Sequence, residues 1–190
     1  MKKKWTTYQL AVTALMTAVT CILAPLSVPV GPVPISLGTL AISLAAYILG
    51  ARLGTVSCVL YLVLGSIGLP VFAGYVGGVD KLVGPTGGYL VGFLALALLT
   101  GLFLEKGRGK TGPAVLGMVL GLATDYLLGT VWFAVVMQCS LLYALTVCVV
   151  PFLLGDAAKI AVVAVLGGLL RTRLIKAGVL KEELLKEKTA

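Results

Sequence analysis

The sequence predicts an all-α polytopic membrane protein with six transmembrane helices and both termini cytoplasmic, and three observations predict it. Of 190 residues, 59% are hydrophobic and 24 are glycine, and only 12% carry a charge, with a mean hydropathy of +1.10. A soluble domain is charged at about a quarter of its positions, so that class is excluded. The charges are also clustered, leaving residues 5–51, 53–79, 82–104 and 126–155 with none, and runs of this kind hold the roughly 20 apolar residues that a spanning helix needs. Nowhere does polarity alternate over ten-residue stretches, as the strands of a membrane barrel require. The chain therefore reads as one domain, 1–190.

The elements follow in order. A first span covers about 7–24, and its apolar core lacks a small-x-small cleavage site, so it reads as a retained helix. Pro25, Pro29, Pro32 and Pro34 stop it, because proline lacks the N–H that a helix interior uses. Residues 35–50 and 53–70 form a second and a third span, turning at Gly50-Ala51-Arg52-Leu53-Gly54; one helix of that length would far exceed a bilayer. Residues 70–88 hold too much glycine and proline for a helix and too many apolar residues for a solvated loop, which predicts a loop packed on protein. The fourth span runs from Tyr89 to Leu104, the connector from Glu105 to Gly112, and the fifth span from Pro113 to about Met137. Residues 138–150 form a partial helix at the outer surface, and Pro151 opens a sixth span reaching about Leu170, since proline suits a first helical turn.

With six crossings, thirteen of the fifteen bases share one side: Lys2 to Lys4, Arg52, Lys106, Arg108, Lys110, Arg171, Arg173, Lys176, Lys181, Lys186 and Lys188. That is the positive-inside pattern, with lipid headgroups as the partners of these charges. Residues 171–190 then form a basic cytoplasmic tail, in which Glu182 and Lys186 are spaced as an i,i+4 pair. Nucleic acid is excluded, because no basic face interleaved with stacking aromatics exists.

Enzyme chemistry finds no residues to carry it. The chain has no histidine, and Cys21, Cys58, Cys139 and Cys148 form no CxxC, so neither a metal site nor a cofactor is expected. Gly107-Arg108-Gly109-Lys110-Thr111 fails as a phosphate loop because Leu104 stands where its first glycine belongs. Any ATP hydrolysis must reside on another chain.

Asp156 and Lys159 are the sharpest signal. Ionisable side chains within a span each cost about 2.5–3.5 kcal/mol to insert and mark function by default. Three residues apart, they share a helix face, roughly 7–12 Å in from the outer end at 1.5 Å per residue. Asp125, without a local basic partner, must be neutral, face a polar cavity or pair across helices, and interhelical hydrogen bonding is the expected role. Phe72, Tyr75, Tyr89, Trp132 and Tyr143 fall near the outer side, where aromatic belts occur, and Tyr75 and Tyr89 also flank the glycine-rich loop. Ala14-Leu-Met-Thr-Ala18 and Gly117-Met-Val-Leu-Gly121 are small-xxx-small patterns suited to close helix packing, and the Ala14–Ala18 face could also take a partner subunit.

Four segments together resemble the biotin-binding S components (BioY family) of energy-coupling factor (ECF) transporters: Ala14 to Ala18; Gly65-Ser-Ile-Gly68-Leu-Pro70-Val-Phe-Ala-Gly74; Gly84-Pro-Thr-Gly87-Gly88-Tyr89; and Gly155-Asp156-Ala-Ala-Lys159. The resemblance spans nearly the whole chain. It implies high-affinity biotin binding and uptake in a multi-pass protein of a prokaryotic plasma membrane, docked on an ECF transmembrane coupling protein with two cytoplasmic ATPase subunits. It further implies that Asp156 and Lys159 are the polar pair of the biotin pocket, that Tyr89 and Tyr75 line it, that Gly77, Gly78, Gly87 and Gly88 let backbone approach the ring, and that Ala14 and Ala18 form the docking face. Relatives often carry Asn or Arg where this chain has Tyr75-Val76, which leaves a contact to the ureido ring there to Asp80 or Lys81, or removes it. The alternative is a stand-alone secondary carrier for a small anionic solute, with Asp125 or Asp156 coupling ion flow. An intramembrane aspartyl protease is excluded, since Thr124-Asp125 and Leu154-Gly155-Asp156 break both of its motifs.

Overall fold

The computed structural model describes residues 7–29 and 33–176. Lys2 to Lys4 and the tail beyond residue 176, including the Glu182–Lys186 pair, lie outside the described residues. The elements are α1 (Thr7–Leu23), β1 (Ser27–Val28), β2 (Ile35–Ser36), α2 (Gly38–Ser66), α3 (Val79–Val83), α4 (Gly87–Lys106), α5 (Thr111–Met137), α6 (Leu141–Cys148) and α7 (Val150–Lys176). Four of them, α2, α4, α5 and α7, are long and apolar enough to cross a membrane, and α1 is an apolar helix of 17 residues. Apolar side chains cover much of the outside: α7 presents Leu153, Leu154, Val165 and Leu169 outward, as a lipid-facing helix does.

Helix α1 is polar inside and apolar outside. Thr13, Met16, Thr17 and Thr20 are buried, and Leu15 and Ile22 are exposed. The Thr17 hydroxyl lies 2.9 Å from Ser57 Oγ on α2, a hydrogen bond of the kind that joins helices where lipid supplies no hydrophobic drive.

The expected turn at Gly50 is present inside α2. Gly50 adopts φ 81°, ψ −177°, a left-handed conformation that favours glycine. A Cβ added to Gly54 would lie 2.7 Å from Ala46 Cα, whereas eight residues of continuous helix would separate these positions by about 12 Å. Residues 38–49 and 51–66 are therefore two limbs folded back on each other. The break frees backbone groups that are buried away from water, and other helices satisfy them. Glu105 of α4 accepts the Ala51 N–H (2.8 Å), and Arg171 of α7 donates through Nη1 to the carbonyls of Tyr47 (2.7 Å) and Ile48 (3.3 Å).

Three details differ from the sequence-based expectation. The proline-rich stretch after α1 carries an antiparallel strand pair, Ser27 opposite Ser36 and Val28 opposite Ile35, because an extended backbone suits residues flanking proline. The loop at 70–88 contains the one-turn helix α3, which begins after Gly78 turns the chain with φ 109°. Gly87 and Gly88 lie in the first turn of α4 rather than in the loop, and both are buried. A Cβ at Gly88 would crowd the Leu128 carbonyl (2.8 Å) and the Trp132 ring (2.9 Å to Cγ), both on α5.

Helices α4 and α5 pack along a close seam. A Cβ at Gly121 would sit 2.8 Å from Leu96 Cα, and one at Gly117 would sit 2.7 Å from the Leu99 carbonyl, so the glycine pair serves close packing as its spacing predicts. The Gly50 break, the α4–α5 connector with Arg108 and the last turns of α7 meet at one end of the bundle. The starts of α2, α4 and α7 meet at the other, and the site lies there.

Candidate functional site

At that second end, a cavity of about 390 Å³ is walled by helices and roofed by the loop between α2 and α4. Its volume falls within the ~300–1,000 Å³ typical of small-molecule sites. Aromatic rings stand around the wall: Tyr61 and Phe72 meet edge to face with centroids 5.6 Å apart, and Phe93, Tyr89, Tyr126 and Phe152 also line it. The roof is pinned by backbone and side chain alike. Gly78 N–H donates to the Gly65 carbonyl (2.8 Å), Gly74 N–H to the Pro25 carbonyl (3.0 Å), and the Trp132 indole of α5 to the Gly84 carbonyl (2.9 Å).

The polar groups of the cavity centre on the first turns of α7. Asp156 is 4% exposed and pairs with Lys159 at 2.8 Å, as their shared helix face requires. The carboxylate accepts two further bonds, from Thr39 Oγ1 at the start of α2 (3.0 Å) to Oδ1 and from the Tyr126 hydroxyl of α5 to Oδ2. Lys159 also donates to Thr39 Oγ1 (3.1 Å), so two of its three N–H groups are engaged. Three helices thus converge on one ion pair, which holds the ammonium facing the cavity.

Of the residues singled out in the sequence, Asp156, Lys159 and Tyr89 line this cavity together, and so do Asp80 and Lys81 of α3 and Asp125 of α5. The Tyr89 hydroxyl is tied to Thr130 Oγ1 (3.2 Å) and to the Cys148 carbonyl (3.4 Å), leaving its ring as the lining surface. Tyr75 is 62% exposed, on a tight turn closed by a bridge between Phe72 and Val76. Gly77 lies against the backbone of Leu69, Gly87 against Leu82 and Gly88 against α5. These four residues and Gly78 are outside the cavity lining. Asp125 makes no interhelical hydrogen bond through Oδ1, which is buried and unpartnered among the described residues. Thr39 and Tyr126 went unmarked in the sequence. Tyr126 had a signal, a phenol beside an acid in mid-span, whereas Thr39 had none.

Ala14 and Ala18 are both exposed, on the outward face of α1 opposite its buried threonines.

Residues 1–176 match the BioY family model. A probable biotin transporter BioY of Pyrococcus horikoshii is 37% identical over 122 residues, covering 64% of this chain and 70% of that protein. The biotin transporter BioY of Thermotoga maritima is 40% identical over 122 residues, covering 64% and 71%. The crystal structure of the S component for biotin from an ECF-type ABC transporter aligns with a TM-score of 0.82 and 32% identity, over 89% of this chain and 95% of that one.

Proposed function

The chain belongs to the BioY family, and on that premise we propose that it binds biotin in the cavity under the α2–α4 loop as the S component of an ECF-type transporter. Biotin is its cargo and not a cofactor, and the chain performs no covalent chemistry of its own. One observation carries the reading: an aromatic-walled cavity of about 390 Å³ with a buried Asp156–Lys159 pair at its polar centre. The bicyclic ring suits the aromatic wall. The remaining N–H of Lys159 serves an oxygen of the ligand, and Asp156 takes one ureido N–H, both as charge-assisted bonds.

The finer topology belongs to the same proposal. Six crossings are made by α1, the two limbs of α2, α4, α5 and α7, with both termini and the end bearing Arg52, Lys106, Arg108 and Lys110 cytoplasmic, in a prokaryotic plasma membrane. Ala14 and Ala18 form the face on which the transmembrane coupling protein docks, and two ATPase subunits drive transport from the cytoplasm. Residues 171–176 belong to α7, with Arg171 buried, and in this reading the chain is a single domain whose basic residues from Arg173 onward lie on the cytoplasmic side.

Equilibrium binding of radiolabelled biotin to the purified protein in detergent tests the core of this reading, with saturable 1:1 binding expected and its absence counting against it. Proteoliposomes holding this chain alone should not accumulate biotin, and those holding the coupling protein and ATPases as well should. Accumulation by the chain alone would instead identify a secondary carrier.

A further inference from the structure

Among the described residues, two cations line the cavity, Lys159 on α7 and Lys81 in the roof, and they differ in how far their charge is already engaged. The Lys159 side chain is 12% exposed, lies 2.8 Å from the Asp156 carboxylate and also donates to Thr39. Lys81 belongs to the one-turn helix α3, and its side chain is 41% exposed. The acid paired with it, Asp80, lies 3.7 Å away, which is beyond hydrogen-bond reach. No hydrogen bond engages the three N–H donors of Lys81 among the described residues.

Resting on the biotin reading above, we infer that Lys81 binds the carboxylate of the ligand's tail and makes the pocket prefer the acid to its neutral amide. A saturated chain separates the two polar ends of biotin, so one ammonium cannot serve both. The ureido end is fixed by its N–H donors, which need an acceptor, and the buried Asp156 supplies one. The tail then points away from the ion pair, toward the roof, where Asp80 and Lys81 reach solvent. Between the two cations the lining offers rings and alkyl groups such as Phe72, Phe93 and Leu90, against which an unpaired carboxylate would be costly to enclose. At Lys159 the tail's carboxylate would stand beside Asp156, a like charge that is 4% exposed, and burial sharpens such repulsion. At Lys81 it meets Asp80, but that side chain is 71% exposed, so water screens the repulsion and the loose pair gives way at little cost. Lys159 is thereby left to serve the ureido carbonyl.

The test titrates the purified parent, Lys81→Gln and Lys81→Arg proteins with biotin and with biotinamide, whose tail ends in a neutral carboxamide. Salt at about 1 M confines charge effects to roughly 3 Å, so that contact and not long-range attraction is read. No residue of α3 is buried, so neither substitution disturbs the core. The parent should bind biotin at least tenfold more tightly than biotinamide. Lys81→Gln should reduce that preference at least fivefold, and Lys81→Arg, which keeps the charge, should retain most of it. A parent that binds acid and amide alike, a Lys81→Gln protein with the parent's preference, or equal losses in both variants would overturn the assignment alone. A parent without saturable biotin binding would overturn it together with the reading on which it rests.

Discussion

Asp156 holds Thr39, Tyr126 and Lys159 in place at once, so changing its charge is felt by every polar group at the cavity centre. Asp156→Asn is expected to weaken biotin binding at least tenfold while the bundle stays folded, because an amide is a poorer acceptor for N–H and O–H and releases the ammonium from its ion pair. A bond to a charged group contributes about 1.5–3 kcal/mol. Titration calorimetry of the variant, with its melting curve as control, checks this, and parental affinity would reduce the pair to a purely structural role. The two charged members were legible in the sequence because insertion of a charge has to be justified. Thr39 was not, since its bonds to Asp156 and Lys159 span 117 and 120 residues, and nothing local distinguishes it from the other hydroxyl residues of the spans. Glycines were ambiguous for a different reason: a missing side chain allows close approach of anything, and at Gly88 what approaches is α5.

At the scale of single helices, α1 carries the clearest division of labour. Its threonines face α2 and its alanines face outward, so bulk added outside leaves the inner contacts intact. Replacing Ala14 and Ala18 with Leu or Trp should keep biotin affinity within about twofold and abolish ATP-driven uptake, as measured by paired binding and proteoliposome assays. Loss of both activities together would show that the alanines serve internal packing. Helix α2 shows how far an element can be read in advance. The turn at Gly50 follows from arithmetic, since a bilayer limits helix length, but its partners Glu105 and Arg171 come from helices distant in sequence. Arg171 reads in the sequence as one more cytoplasmic base, and in the fold it is 7% exposed and closes the broken end of another helix.

Across the whole molecule, the basic connector and the cavity occupy opposite ends of the helices, which gives the topology a direct test. Single cysteines replacing Arg108 and Asp80 in a cysteine-free background should react with an impermeant reagent from opposite sides of the membrane, and labelling from the same side would refute the six-crossing arrangement. Charge-free runs made the spans legible; the strand pair and α3 were not, because elements of two and five residues are shorter than any periodicity can register. The Trp132 bond to Gly84, described as one pin of the roof, also has a consequence in time. A ligand enclosed beneath a pinned loop leaves only when the pins let go, so such bonds govern residence more than encounter. Trp132→Phe keeps a ring against Gly88 but removes the indole donor, and losing one neutral hydrogen bond of about 1 kcal/mol corresponds to roughly fivefold. Stopped-flow displacement should show biotin escaping about fivefold sooner with its association rate nearly unchanged, so that how long this protein waits for its transport partners is set by a side chain that never touches the cargo.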